Sequence, residues 1–267
     1  MAATAKPKKK GLIVMDRDVE SLLQLYVHRT LTSGQLARLT FGDISYETAR
    51  KRLRRLMQSN LIGCASSERS EERGRPELIY YLTKYGANVL EQKKTIDRRE
   101  IPYGPPHAYH KEHFLKLADI RLALEDAQDN GLIENFAWLP GEDFANQWAK
   151  SHGVTMTEFP DAAVSFSYPK GQSVIVLLEL DTGNFRQTRN WEPKIVNFLF
   201  TGQPIWVVAN TEKRIQTLGE WTLPLLKANG VGAGKCVFAV FDEIVKRGVF
   251  AGGWVRADGT VSELRPK

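Results

Sequence analysis

Residues 173–183 read SVIVLLELDTG. The stretch 174–178 is continuously apolar and strand-length, the pattern of a strand buried on both faces. Glu179 and Asp181 then follow two residues apart, so a strand continuing through them projects both carboxylates from one face. The preceding run, 161–168, alternates and opens on Asp161 directly after Pro160, while Pro169, Lys170 and Gly171 supply a turn that makes 161–168 and 173–181 hairpin partners. Three carboxylates are thereby expected at one rim of a sheet. So placed they repel unless a cation neutralises them, and a hard divalent ion with oxygen ligands, Mg²⁺ before others, suits the set. Lys194 lies about one helical turn into the next element and is expected to reach back to the same edge. The reading is a phosphodiester-cleaving site, with Asp161, Glu179 and Lys194 as catalytic groups and Asp161, Glu179 and Asp181 as metal ligands.

Outward from this hairpin the periods alternate. Residues 191–200 and 211–228 read as helices and 205–209 and 237–241 as strands, with a long helix at 109–128 and a short strand at 136–139 before them. That order predicts a mixed sheet covered by helices. Residues 242–267 read as a terminal strand or hairpin with no role beyond packing.

The first hundred residues differ in charge and composition. They hold 20 Lys+Arg against 12 Asp+Glu, whereas residues 101–267 hold 17 against 19 and contain all six tryptophans. Between these parts, 95–107 (TIDRREIPYGPPH) carries three prolines and a glycine that no intact helix passes through. The expected organisation is a basic flexible tail at 1–16, a helix-turn-helix domain with a wing at 17–94, a Pro-rich linker at 95–107 and the mixed-sheet domain at 108–267. Apolar spacing predicts a helix over 17–28. Thr32 with Gln35 forms a capping-box pattern that starts a second helix, which Phe41 and Gly42 break. Ser45 caps a third helix, 46–58, whose Ala49, Leu53, Leu56 and Met57 form a buried stripe. Opposite that stripe stand Thr48, Lys51, Arg54 and Arg55, flanked by Arg50 and Arg52, the cationic face expected of a helix that enters a DNA major groove. Strands at 61–65 and 78–82 flank a wing whose Arg69, Arg73 and Arg75 are expected on phosphate or in the minor groove. A closing helix at 84–94 completes the domain.

Composition narrows the function classes. The net charge is +6, and the 42% hydrophobic and 25% charged fractions are those of a folded soluble protein. No window approaches the roughly 20 apolar residues of a membrane span, and the lysine-rich start has no apolar signal core. Cys64 and Cys236 are far apart in apolar runs and suit buried thiols in a cytoplasm. His107, His110 and His113 share a spacing of three, but His107 directly follows two prolines, so caps or packing are preferred to a zinc site. Gly230, Gly232 and Gly234 before Lys235 lack the spacing and the hydroxyl of a phosphate loop. There is no G-x-S-x-G elbow, and no pair of histidines separated by one apolar residue.

P-D-A at 160–162, L-E-L-D-T-G at 178–183 and P-K-I at 193–195, together with L-T-S-G-Q-L at 31–36, R-R-L at 54–56, G-R-P at 74–76 and I-Y-Y-L-T at 79–83, resemble the replication-relaxation family of plasmid and mobile-element proteins. The resemblance covers about residues 17–210. It implies an α/β (α+β overall) chain with a winged helix followed by a restriction-endonuclease-like domain, DNA as partner, and some relatives acting as relaxases or accessory DNA-processing factors. In the broader nuclease pattern an Asp is followed by a Glu or Asp two residues before a Lys. Here that lysine position is Asp181, and Lys194 reads as a migrated replacement. Two functions follow as expectations: metal-dependent nicking of DNA, or a non-enzymatic regulator or assembly factor that keeps the fold and uses the second domain for dimerisation or partner binding.

Overall fold

The computed structural model describes residues 12–66, 77–94, 96–169, 171, 173–183 and 188–264, with the backbone alone at 109, 188 and 189. The chain is a mixed α/β protein of two compact units, one reaching Ala118 and the other beginning at Asp119. The division falls inside a helix rather than in the proline-rich segment.

The first unit runs α1 (Asp16–His28), β1 (Leu31–Thr32), α2 (Ser33–Phe41), α3 (Tyr46–Gln58), β2 (Ile62–Ser66), β3 (Leu78–Leu82) and α4 (Lys84–Lys94). Its sheet has the antiparallel order β1-β3-β2. The caps are those expected: Thr32 accepts from Gln35 N–H while the Gln35 side chain accepts from Thr32 N–H, and Ser45 accepts from Thr48 N–H. Phe41 ends α2 from inside, its ring buried with Leu22, Leu25, Leu36, Leu53 and Leu56 in one core. The segment after α4 is tied down. Ile101 is buried in the same core, Arg98 donates to Asn88 Oδ1 and the Ile101 carbonyl, and Gly104 N–H donates to the Leu82 carbonyl.

The second unit takes up the end of α5 (Ala108–Asp129), then β4 (Glu134–Pro140), α6 (Gly141–His152), β5 (Ala162–Ser167), β6 (Ser173–Asp181), α7 (Thr188–Phe200), β7 (Ile205–Ala209), α8 (Glu212–Ala228), β8 (Cys236–Val240), α9 (Phe241–Arg247), β9 (Trp254–Arg256) and β10 (Val261–Ser262). One sheet holds all of these strands in the order β10-β9-β8-β7-β6-β5-β4, parallel for β6-β7-β8 and antiparallel elsewhere. Register aligns Leu177 with Ile205 and Cys236, then Glu179 with Val207 and Phe238, then Asp181 with Ala209 and Val240. This face packs on Trp191, Ile195 and Phe198 of α7 and on Ile215, Leu218 and Leu226 of α8. Trp191 Nε1 donates to Thr222 Oγ1, joining the two helices. The opposite face carries an aromatic cluster in which Trp206 lies 5.0 Å from Trp254 and 5.8 Å from Phe166, centroid to centroid.

Three elements escape the sequence reading. β1 is only a two-residue bridge. α6 begins at Pro140-Gly141, which looks like a breaker; Pro140 is instead its N-cap, Glu142 and Asp143 fill a first turn favourable to acids, and Phe144 and Ala145 supply its buried face. Residues 241–247 are helical, correcting the expectation of only a strand or hairpin after 241: Asp242 and Glu243 occupy the first turn, Lys246 and Arg247 the last, and Phe241 and Ile244 are buried.

Gly141 governs the approach of α6 to the segment Pro160-Asp161 that leads into β5. Its N–H donates to the Asp161 carbonyl, and a Cβ there would stand 1.5 Å from the Pro160 carbonyl oxygen. Gly141→Ala is therefore expected to lower stability by about 2 kcal/mol or more, read as a lower midpoint in urea unfolding; an unchanged midpoint would mean that the segment shifts freely.

Candidate functional site

The carboxylates at the end of β6 are buried where the register demands apolar residues. Glu179 and Asp181 are each 1% exposed, and each is met by a cation from a covering helix. Lys194 Nζ of α7 donates to Glu179 Oε1 at 2.5 Å. Arg214 Nε of α8 pairs with Asp181 Oδ2, while Gly183 N–H donates to Asp181 Oδ1 at 3.0 Å. Arg214 also lies over the Trp221 ring, 5.1 Å from its centroid.

Asp161 sits just before β5, and the β5–β6 register extends to put it opposite Glu179. Its carboxylate Oδ2 accepts from Leu180 N–H at 2.7 Å, and its own N–H donates to the Leu178 carbonyl. The loop before it is fastened to α7, since Thr157 donates from N–H and Oγ1 to Asn197 Oδ1. The structure thus brings Asp161, Glu179 and Lys194 together and commits Asp181 to Arg214. Among the described residues no group of three or more His, Cys, Asp or Glu side chains is disposed to hold a metal ion.

Electrostatics follow from burial. Loss of water, and then repulsion by Asp161, push the Glu179 carboxyl up to about 8 against the opposing pull of Lys194. Burial lowers the Lys194 ammonium, but Glu179 and Asp161 outweigh it and the net direction is up. Both members of the pair therefore hold protons more strongly than in water. Glu179 Oε2 is buried with no hydrogen-bond partner among the described residues.

In the first unit, α3 turns its Ala49, Leu53 and Leu56 stripe inward and leaves Thr48, Lys51, Arg54 and Arg55 exposed. Arg50 is half-buried, 3.6 Å from Glu47 Oε2 and beside the Tyr46 ring. Arg52 leaves the cationic face: its Nε donates to Asp18 Oδ1 at 2.7 Å and its Nη2 to Asp18 Oδ2 and to the Ile13 carbonyl. Arg69, Arg73 and Arg75 lie outside the described residues. His107 and His110 are exposed at the start of α5, and His113 is half-buried against Phe114. Cys236 is buried and Cys64 half-buried; both are free thiols.

Sequence reasoning missed Arg214, Asn197 and the structural use of Arg52. Arg214 carried one usable signal: it follows Thr211, the N-cap after β7, and β7 runs parallel beside β6. A strand-helix turn at that position delivers the first helical turn to the strand end where Asp181 lies.

These features define a two-unit α/β protein that buries an acidic, cation-paired strand end in one unit and exposes a basic helix in the other. The replication-relaxation family model matches residues 22–195, from α1 to the residue after Lys194, and the chain belongs to that family. Membership supports a role in the replication or transfer of plasmid or mobile-element DNA. No curated protein and no solved structure matches the chain. No helix among the described residues is long and apolar enough to cross a membrane.

The raised Glu179 carboxyl sets a pH dependence. Because the folded state holds a proton that the unfolded state releases, stability falls as pH rises between 4.5 and about 8. Urea unfolding of Glu179→Gln at several pH values is expected to show a flatter profile than the parent over that window. Parallel profiles would place the proton elsewhere.

Proposed function

We propose that the chain is a DNA-binding protein of plasmid or mobile-element replication or transfer, with a winged helix that docks α3 in a major groove. The observation that supports this reading most is the outer face of α3, where Lys51, Arg54 and Arg55 stand exposed on a helix capped by Ser45 and clamped through Arg52 to buried Asp18. Arginine at such a face pairs bidentately with guanine, and lysine neutralises phosphate. The topology α1-β1-α2-α3-β2-β3, with β1 joined to β3, agrees with the proposal. On this reading Arg69, Arg73 and Arg75 belong to the wing between β2 and β3.

In the second unit the convergence of Asp161, Glu179 and Lys194 favours a restriction-endonuclease-like nicking activity. Mg²⁺ commonly takes one or two carboxylates and keeps several waters; Asp161 and Glu179, with its unpartnered Oε2, fit that donor set, whereas Asp181 is occupied by Arg214. Bound there, the ion would polarise a phosphodiester and activate water. The chain's own contribution is positioning. Leu180 N–H orients Asp161, and the Lys194 ammonium lies ready to offset negative charge developing on phosphate.

DNA binding by the Arg54→Ala/Arg55→Ala variant is expected to weaken and to lose about 0.9 of salt slope for each phosphate contact removed. Superimposable titrations at several salt concentrations would move the DNA surface off α3. Nicking of supercoiled plasmid with Mg²⁺ is expected to fall roughly 100-fold or more in Asp161→Ala and in Lys194→Ala. Undiminished nicking in both would remove the site, and no nicking by the parent protein would favour the non-enzymatic alternative, in which the second unit serves assembly or dimerisation.

A further inference from the structure

The proline-bearing segment after α4 holds an aromatic ring in solvent. Ile101 is 2% exposed in the first unit's core, and Gly104 N–H donates to the Leu82 carbonyl at 2.7 Å, so the two residues between them are pinned at both ends. Pro102 fixes its own φ within that short span. Tyr103 is nevertheless 53% exposed. Arg98 steadies it: the guanidinium carbon lies 4.5 Å from the ring centroid, while Nε donates to Asn88 Oδ1 and Nη1 to the Ile101 carbonyl. The cation beside the ring is thus itself held by α4 and by the backbone.

Tyr103 and Arg98 border a groove of about 560 Å³ that α4 bounds through Lys84 and Asn88, a volume within the roughly 300–1,000 Å³ of ligand clefts. Among the described residues that line it, Lys84, Arg98 and Arg99 are cations and none is a carboxylate. Lys84 is exposed at the start of α4. Arg99 pairs with the neighbouring Asp97, but its side chain is 90% exposed; a pair in that setting is worth little, and a phosphate can take the carboxylate's place.

We infer that this groove binds single-stranded DNA, with a base stacked on Tyr103 and the adjoining phosphates met by Lys84 and Arg99. Chemistry chooses the strand. A duplex offers a protein its phosphates and base edges, whereas an exposed aromatic ring beside cations suits bases whose faces are open. Arg98 is on this account a positioning residue, since its bonds to Asn88 and Ile101 fix the ring it stacks against. The choice of DNA rests on the family's role in replication or transfer. The site itself does not depend on α3 as a groove reader.

The test titrates the full chain with a fluorescent oligothymidylate about 12 nucleotides long and, separately, with a mixed-sequence duplex, over a range of NaCl. Tyr103 and Lys84 are both exposed, so substitutions there leave the core untouched. Tyr103→Ala is expected to weaken oligothymidylate binding about 5-fold or more, while Tyr103→Phe, which keeps the ring, retains the parental affinity. Lys84→Gln is expected to lower the slope of log affinity against log salt by about 0.7. Duplex binding should keep its affinity and slope in all three variants. Undiminished oligothymidylate binding in Tyr103→Ala, or an equal loss in Tyr103→Phe, overturns the stacking site, and an unmoved slope in Lys84→Gln overturns the phosphate contact. Parallel losses on duplex and single strand also overturn it, because the groove would then be a general phosphate surface. A parent protein that binds duplex through Arg54 and Arg55 but not oligothymidylate defeats the groove and leaves the α3 reading standing. Single-strand binding that depends on Tyr103, with duplex binding indifferent to Arg54→Ala/Arg55→Ala, sustains the groove and removes α3. Absence of binding to either defeats both.

Discussion

Two carboxylates lie inside an apolar sheet, and the second unit is arranged around keeping them there. At the registers of Glu179 and Asp181 the neighbouring strands present Val207 with Phe238, and Ala209 with Val240. Removing an ion from water costs several kcal/mol even after relaxation, and only close pairing offsets the cost. α7 supplies Lys194 and α8 supplies Arg214, one cation per carboxylate. The helices that seal the hydrophobic face are thus also the source of its counter-charges, and the bond from Trp191 to Thr222 joins them. Replacing a whole buried pair, Glu179 with Lys194 or Asp181 with Arg214, by apolar residues of similar volume is often neutral or stabilising, so stability alone does not account for the pairs.

The first unit uses the same device for another purpose. Asp18 is as buried as Glu179, and Arg52 answers it, but here the pair joins α1 to α3 and holds the chain at Ile13. The cationic helix therefore divides its charges by position. Arg52 goes to structure, Arg50 leans on Glu47 and Tyr46, and Lys51, Arg54 and Arg55 stand in solvent. A basic run that looked uniform in sequence resolves into an anchor and a face.

What the sequence made legible follows from periodicity and capping. Thr32 with Gln35, Ser45, the α3 stripe and the β5–β6 hairpin rest on local rules, and each stands where those rules put it. The approach of Lys194 to Glu179 was legible because a helix directly after a strand folds its first turns back over that strand's end. Arg214 was not, since it stands 33 residues from Asp181 and reaches it only through the parallel β6-β7 pairing. α6 was hidden because Pro140 and Gly141, which usually break helices, here begin one. Arg52 illustrates a different obstacle: spacing shows which side of a helix a cation takes, but not whether a buried carboxylate from another helix waits there.

Charge balance at the acidic end ties its geometry to the cleavage reading. Glu179 meets Lys194 and Asp181 meets Arg214, while the Asp161 carboxylate stands opposite Glu179 and repels it. Burial first, and repulsion by Asp161 second, make a charged Glu179 costly, and its elevated carboxyl, holding a proton, is the physical answer. Lys194 occupies Oε1, which leaves Oε2, the oxygen without a hydrogen-bond partner among the described residues, as the atom to carry that proton. A divalent cation in the proton's place would add positive charge to the site, the sign that attracts a phosphodiester. Proton and metal would then compete for the same oxygen, so metal-dependent cleavage would strengthen as pH rises toward 8, over the range in which fold stability declines. A purely structural acid would give the second trend without the first, and this divergence separates a working site from a retained scaffold.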